Sequence, residues 1–152
     1  LWTYYCCCQY DGVSNRFMAM PSARNRILGY QLYKYDIEGF LQWGFNFWFT
    51  QRSREVINPY AVTDAGGAFP SGDSFIVYPQ NKYGDAVTSL RLYVFNEGLQ
   101  DLRALQLLES IKGAEYTKGL LDEIVGFDKY PSEAEYILKL REKINSEIEK
   151  AV

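Results

Sequence analysis

The chain has 152 residues, enough for one domain with a sizeable core, and 16% of them are aromatic, which excludes a disordered chain. Its net charge of -3 offers no electrostatic footprint for nucleic acid, and it lacks the roughly 18-residue apolar run that a membrane-spanning helix needs. The absence of His removes Ser-His-Asp triads, Cys-His pairs and most catalytic zinc sites, so any acid–base chemistry falls to carboxylates, Tyr, Lys or Cys.

Residues Leu1 to Cys8 read as a hydrophobic strand. A strand that opens on the first residue, with no polar lead-in, suggests a piece cut from a longer protein. The consecutive Cys6, Cys7 and Cys8 match neither a metal-binding spacing nor CxxC. They are expected to pack as small residues within the strand, and a mutual disulfide is disfavoured because neighbours on a strand face opposite ways. No metal and no cofactor is expected. After a loop through Asp11-Gly12 and Ser14-Asn15, Ile27, Leu28, Gln31, Leu32 and Tyr35 recur at helical spacing and predict a helix over Ser22–Tyr35, started at Pro21-Ser22.

Residues Gly39 to Trp48 then read as an aromatic-rich strand, completing a βαβ unit with parallel strands. Period-two alternation places Leu41, Trp43, Phe45 and Phe47 on a core face and Gln42, Gly44, Asn46 and Trp48 on the other. That second face is small, amide-bearing and aromatic. It suits a sugar, whose apolar faces lie on flat rings while amides bond its hydroxyls; it equally suits a core strand whose amides bond their neighbours.

Thr50 to Ser74 is rich in Pro, Gly, Asp and Asn and predicts a long irregular stretch, the kind that is functional or disordered. Phe75–Tyr78 is a short extended piece stopped by Pro79. A long helix is predicted over Ala86–Lys112, with Leu90, Val94, Leu99, Leu102, Leu105, Leu108 and Ile111 as its apolar stripe. Gly98 marks a close contact or a break within it, and Gly113 ends it. A short helix over Thr117–Val125 is closed by Gly126. A last helix runs from Ser132 to the C-terminus, with Ser132 and Glu135 as a capping box and Ile137, Leu140, Ile144 and Ile148 as its stripe. Arg91 is expected to pair with a carboxylate.

The run Gly39-Phe40-Leu41, Trp43-Gly44, Asn46, Trp48, with Gly72-Asp73 and Tyr78-Pro79 after it, resembles the C-terminal part of the glycoside hydrolase family 123 catalytic domain and its uncharacterised bacterial relatives. Tyr5-Cys6-Cys7, Asn15-Arg16-Phe17, Ser89-Leu90-Arg91 and Glu97-Gly98-Leu99-Gln100-Asp101 fit the same family, so the resemblance spans Trp2 to Lys112. The family's usual Arg-Asp-Gly-Leu-Glu-Asp-Tyr reads Asn96 to Leu102 here. Arg→Asn and Glu→Gln remove two charges, a change expected to touch helix packing more than chemistry.

The resemblance implies an α/β chain forming the last two strands and helices of a (β/α)8 barrel over residues 1–113, followed by a helical extension over 114–152. A barrel of roughly 250 residues cannot be complete in this length. It also implies a retaining, substrate-assisted β-N-acetylhexosaminidase-like hydrolase of N-acetylgalactosaminides, in which an Asp polarises the substrate's acetamide and an adjacent Glu is the general acid. That pair would lie upstream, leaving no catalytic residue in this chain, since its Asp122-Glu123 falls in a predicted helix outside the matching region. The partner implied is an N-acetylated hexosamine glycan.

Under the barrel reading the expected substrate-binding residues are Trp48 and Asn46, then Trp43, Tyr5 and Asp73; Asp73 either accepts sugar hydroxyls or caps the turn at Gly72. A non-catalytic carbohydrate-binding module and a structural domain that forms homo-oligomers remain alternatives. Bacterial cytoplasm and cell envelope both fit.

Overall fold

The computed structural model describes residues 1–80, 82 and 84–151. Strands β1 (Trp2–Tyr5) and β2 (Gly39–Gln42) pair in parallel, with Trp2 opposite Gly39 and Tyr5 opposite Gln42. Between them run α1 (Ser22–Arg26) and α2 (Leu28–Lys34), joined by Ile27, which keeps right-handed helical geometry. This is the expected βαβ unit. Alternation turns Tyr5 and Phe40 toward the helices, where they meet Leu28, Leu32, Phe95 and Leu99. The other side of the sheet stays bare: Trp2, Tyr4 and Leu41 are 71%, 57% and 52% exposed.

Both strands are shorter than the sequence suggests, for identifiable reasons. β1 stops at Tyr5 because the Asn15 side chain donates to the carbonyls of Cys6 and Gln9, at 3.0 and 2.9 Å, and closes a turn there. The three cysteines therefore leave the strand; Cys6 and Cys7 are half-buried and Cys8 is exposed. β2 stops at Gln42 because the chain changes partner. The Phe47 N–H donates to Ser74 O and the Ile76 N–H to Phe45 O, and Asn46 lies opposite Phe75 in an antiparallel bridge. Gly44 permits the switch, since a Cβ there would sit 1.9 Å from the Asp73 carbonyl oxygen. The two-faced strand over Gly39–Trp48 is thus lost, and Leu41 and Phe45, expected in the core, are exposed.

Residues 50–74 are irregular apart from a 3-10 turn at Gln51–Ser53 and an isolated antiparallel bridge that sets Val56 opposite Phe49. β3 (Val77–Tyr78) pairs antiparallel with β4 (Val87–Thr88), so the long helix begins later than Ala86. It starts when Ser89 caps α3 (Leu90–Lys112) by accepting from the Leu92 N–H, while its hydroxyl donates to Ile76 O. Gly113, at φ 87°, ends it. α4 (Ala114–Gly119) lies ahead of its expected span, with residues 120–123 in turns. The N-cap position of α5 (Ala134–Glu149) is Glu133, not Ser132, and its side chain makes no capping hydrogen bond. The capping box does not form, because Ser132 donates to the Glu133 carboxylate and Glu135 pairs with Lys139. Val152, included in the predicted last helix, is outside the described residues.

The main core gathers Ile27, Tyr30 and Tyr33 from the first helices and their linker, Leu105 and Leu108 from α3, Leu121 and Ile124 from the turns after α4, and Ile137, Leu140 and Ile144 from α5. Leu105 is fully buried. Leu105→Ala is expected to cost about 3 kcal/mol through lost burial and the cavity left behind. A lower urea midpoint with an unchanged denaturant slope would report it.

Two contacts lock the helices together. Gly29 of α2 lies so close to Gly98 of α3 that a Cβ on Gly29 would fall 1.7 Å from the Gly98 carbonyl oxygen. Gly98 therefore marks a close contact and not a break. Asp101 of α3, fully buried, accepts from Arg26 of α1 at 2.7 and 3.0 Å and from Arg141 of α5 at 2.7 Å.

Candidate functional site

The C-terminal ends of β1 and β2 carry a cluster of polar and aromatic side chains. This is the end of a parallel sheet where binding sites are built, because the loops after the strands converge there. Gln42, the last residue of β2, accepts from Nε of Arg16, which comes from the loop after β1. The Arg16 guanidinium lies over the rings of Phe40, Tyr5 and Phe95, at 4.8, 5.6 and 5.6 Å from their centroids. Arg16 is only 2% exposed and its Nη1 has no partner among the described residues. Burial lowers its pKa to about 10, opposed by the nearby Tyr5 and Asp73.

Asp73 faces this cluster from the 72–75 segment. Its Oδ2 accepts from Trp43 Nε1 at 3.2 Å. The carboxyl is 3% exposed, and burial raises its pKa above the ordinary value, while the Trp43 N–H, Arg16 and Arg91 pull the other way. The turn at Gly72 is closed by backbone bonds, Asp73 N–H to Pro70 O and Gly72 N–H to Thr63 O, so the Asp73 side chain serves Trp43 and does not cap that turn. Among the described residues, Arg91 forms no ion pair with a carboxylate. It donates to the carbonyls of Arg16, Gly72 and Phe75, each at 2.6 Å, and pins the Asp73 segment to the loop after β1. Three converging carbonyls satisfy the fork of a half-buried guanidinium without a counter-charge.

The expected sugar-binding residues divide. Trp43 and Asp73 are in direct contact, and the Trp43 ring is flanked by Phe69 and Phe47 at 5.2 and 5.7 Å. Asn46 and Trp48 follow on the segment paired with residues 74–77; Asn46 is exposed, and Trp48 is half-buried with its N–H donated to Val77 O at 3.0 Å. Tyr5 is different. It is 5% exposed on the helix-facing side of β1, beneath Arg16, and its hydroxyl is pushed to a pKa of about 12 by burial. Its place in the pleat makes it a backing for the guanidinium. Asp122 and Glu123 are exposed in the turn after α4, not on a helix.

Sequence reasoning did not single out Arg16 as a site residue. The signal was the Asn15-Arg16-Phe17 motif, since an Arg among buried neighbours has to be paired or stacked. Two open grooves lie elsewhere. One, of about 540 Å³, is lined by residues that include Arg52, Arg54, Gly66 and Gly67; the other, of about 560 Å³, by residues that include Asp11, Arg24, Asp128 and Tyr130.

Arranged this way, the half-buried indole of Trp43, with further rings beside it and its N–H held by the buried Asp73 carboxyl, can cover an apolar face of a ligand. No curated protein matches the chain. The family model of the glycoside hydrolase 123 catalytic domain matches residues 1–108, from β1 through most of α3 and including every residue of this cluster. The chain belongs to the glycoside hydrolase 123 catalytic-domain family.

Proposed function

We propose that this chain supplies part of the sugar pocket of a retaining, substrate-assisted β-N-acetylhexosaminidase-like hydrolase acting on N-acetylgalactosaminides, with its acid/base pair in residues outside the chain. Residues 1–113 are the closing strands and helices of a (β/α)8 barrel, and 114–152 a helical extension of it. Family membership implies a carbohydrate ligand; the observation that carries the pocket is the Trp43–Asp73 pair at the C-terminal end of a parallel strand pair. The bare face formed by Trp2, Tyr4 and Leu41 supports the barrel reading, because parallel sheets are covered on both faces. Such a face also fits self-association, so oligomers of the isolated chain are compatible with this reading.

Trp48, Asn46, Trp43 and Asp73 are the residues we assign to sugar contact. The acid/base pair is placed outside because Asp122-Glu123 is the one Asp-Glu dipeptide in the sequence, and it is exposed in a turn with no strand end beside it. A panel of chromogenic glycosides that includes β-N-acetylgalactosaminide tests this. The chain is expected to turn over none of them, and hydrolysis by the chain itself would overturn the assignment.

Asp73→Asn separates binding from stability. Its raised pKa means that the folded state disfavours the charged carboxylate. That carboxyl therefore favours folding fully below its unfolded pKa, and this contribution is lost as pH rises through the raised folded value. At neutral pH Asp73→Asn is expected to leave the melting temperature unchanged or higher while weakening sugar binding. A lower melting temperature with intact binding would make Asp73 purely structural.

A further inference from the structure

Cys6, Cys7 and Cys8 form a cluster that the sugar-pocket reading does not use. Their Sγ atoms all lie within 4.8 Å of one another, and those of Cys7 and Cys8 are 3.8 Å apart. The turn that presents them is anchored. The Cys6 N–H donates to Gln9 Oε1 at 2.9 Å, the Gln9 N–H returns to Cys6 O at 3.3 Å, and the Asn15 amide, 2% exposed, clamps the carbonyls of Cys6 and Gln9. Consecutive cysteines match no linear metal motif, because such motifs leave residues between ligands to bend the chain. Here the turn supplies that bend.

The dimensions suit one ion. A metal–thiolate bond is about 2.3 Å, so three sulfurs around one centre lie roughly 3.8–4.0 Å apart in tetrahedral or trigonal geometry. Cys7 and Cys8 already have this spacing, and the widest pair has to close by less than about 1 Å. The exposed Cys8 gives an entry path. An all-sulfur donor set selects soft cations over magnesium, calcium or manganese.

We propose that Cys6, Cys7 and Cys8 form a three-thiolate site for a single soft, thiophilic d10 metal ion. Binding breaks three S–H bonds, releases three protons to solvent and forms three metal–sulfur bonds. No electron is transferred and the ion keeps its oxidation state. The site follows directly on Tyr5, and it stands whether or not the sugar reading does.

The test is titration of the reduced chain with cadmium chloride under anaerobic conditions, read by the sulfur-to-cadmium charge-transfer absorbance and by native mass spectrometry. The expected result is saturation at one cadmium per chain, with all three thiols protected from alkylation. Cys8→Ser, at an exposed position that the fold does not need, is expected to weaken binding by at least about a hundredfold, beyond the loss of a mere outer-shell partner. An unchanged circular dichroism spectrum keeps that comparison valid. Absence of the band at one equivalent, an ion bridging two chains, or a Cys8→Ser variant that titrates like the parent would each overturn the proposal.

Discussion

Gly29→Ala is expected to destabilise the fold by about 3 kcal/mol, the upper end of what overpacking costs. Alanine in a helix interior is otherwise favoured over glycine by about 1 kcal/mol, so propensity alone predicts the opposite sign. Packing wins because the added Cβ would meet backbone, the Gly98 carbonyl oxygen at 1.7 Å, and neither helix can yield without moving as a body. Gly98→Ala meets the Arg26 carbonyl oxygen at 2.8 Å and should destabilise in the same direction by less. A Cβ added at Gly119 in α4 would meet nothing within 4 Å, so Gly119→Ala should gain up to about 1 kcal/mol. Urea midpoints of the three variants check the ordering; a neutral Gly29→Ala would mean that α2 and α3 do not touch as described.

Asp101→Ala is the second large effect, also about 3 kcal/mol, the low end for opening a buried ion pair. Asp101 has no exposed side-chain surface and holds Arg26 and Arg141 together. With Asp101 gone, two guanidiniums would face each other across an apolar gap. Their side chains are 18% and 28% exposed and can turn partly toward water, which keeps the loss at the lower end. Removing Arg141 alone leaves Asp101 bidentate with Arg26 and should cost less. Paired denaturation of Asp101→Ala, Arg141→Ala and the double variant checks this. Strongly non-additive losses are expected, and full additivity would mean that the pair is not coupled. This arrangement also clarifies the departures from the family motif. The two lost charges are at Asn96, which is exposed, and Gln100, whereas Asp101, the position that ties three helices, is retained.

What could be read from the sequence was what local periodicity encodes. The βαβ order, the parallel pairing, the α3 stop at Gly113 and the α5 stripe of Ile137, Leu140 and Ile144 follow from spacing and glycine chemistry. What was missed depended on partners distant in sequence. Gly39–Trp48 looks like one strand because its aromatic run is continuous, but residues 74–77 capture its second half. The cysteine strand ends because Asn15 takes its carbonyls, and Ser132 does not cap because its hydroxyl donates to the neighbouring Glu133 carboxylate. Of the candidate site residues, Trp43 and Asp73 meet across 30 residues, whereas Tyr5, expected at the pocket under the barrel reading, is turned inward by the pleat. Arg16 was visible only as a motif residue, since nothing local announces that three rings will stack on its guanidinium.

Sugar contact by the Trp43–Trp48 segment can be read directly from its indoles. The sequence holds three Trp residues, and Trp2, exposed on the opposite sheet face, serves as an internal control. The decisive measurement is titration of the chain with N-acetylgalactosamine while following the three indole N–H resonances. Saturable shifts of the Trp43 and Trp48 signals are expected, with Trp2 unmoved. Three unmoved signals, or a shift of Trp2 alone, would contradict it.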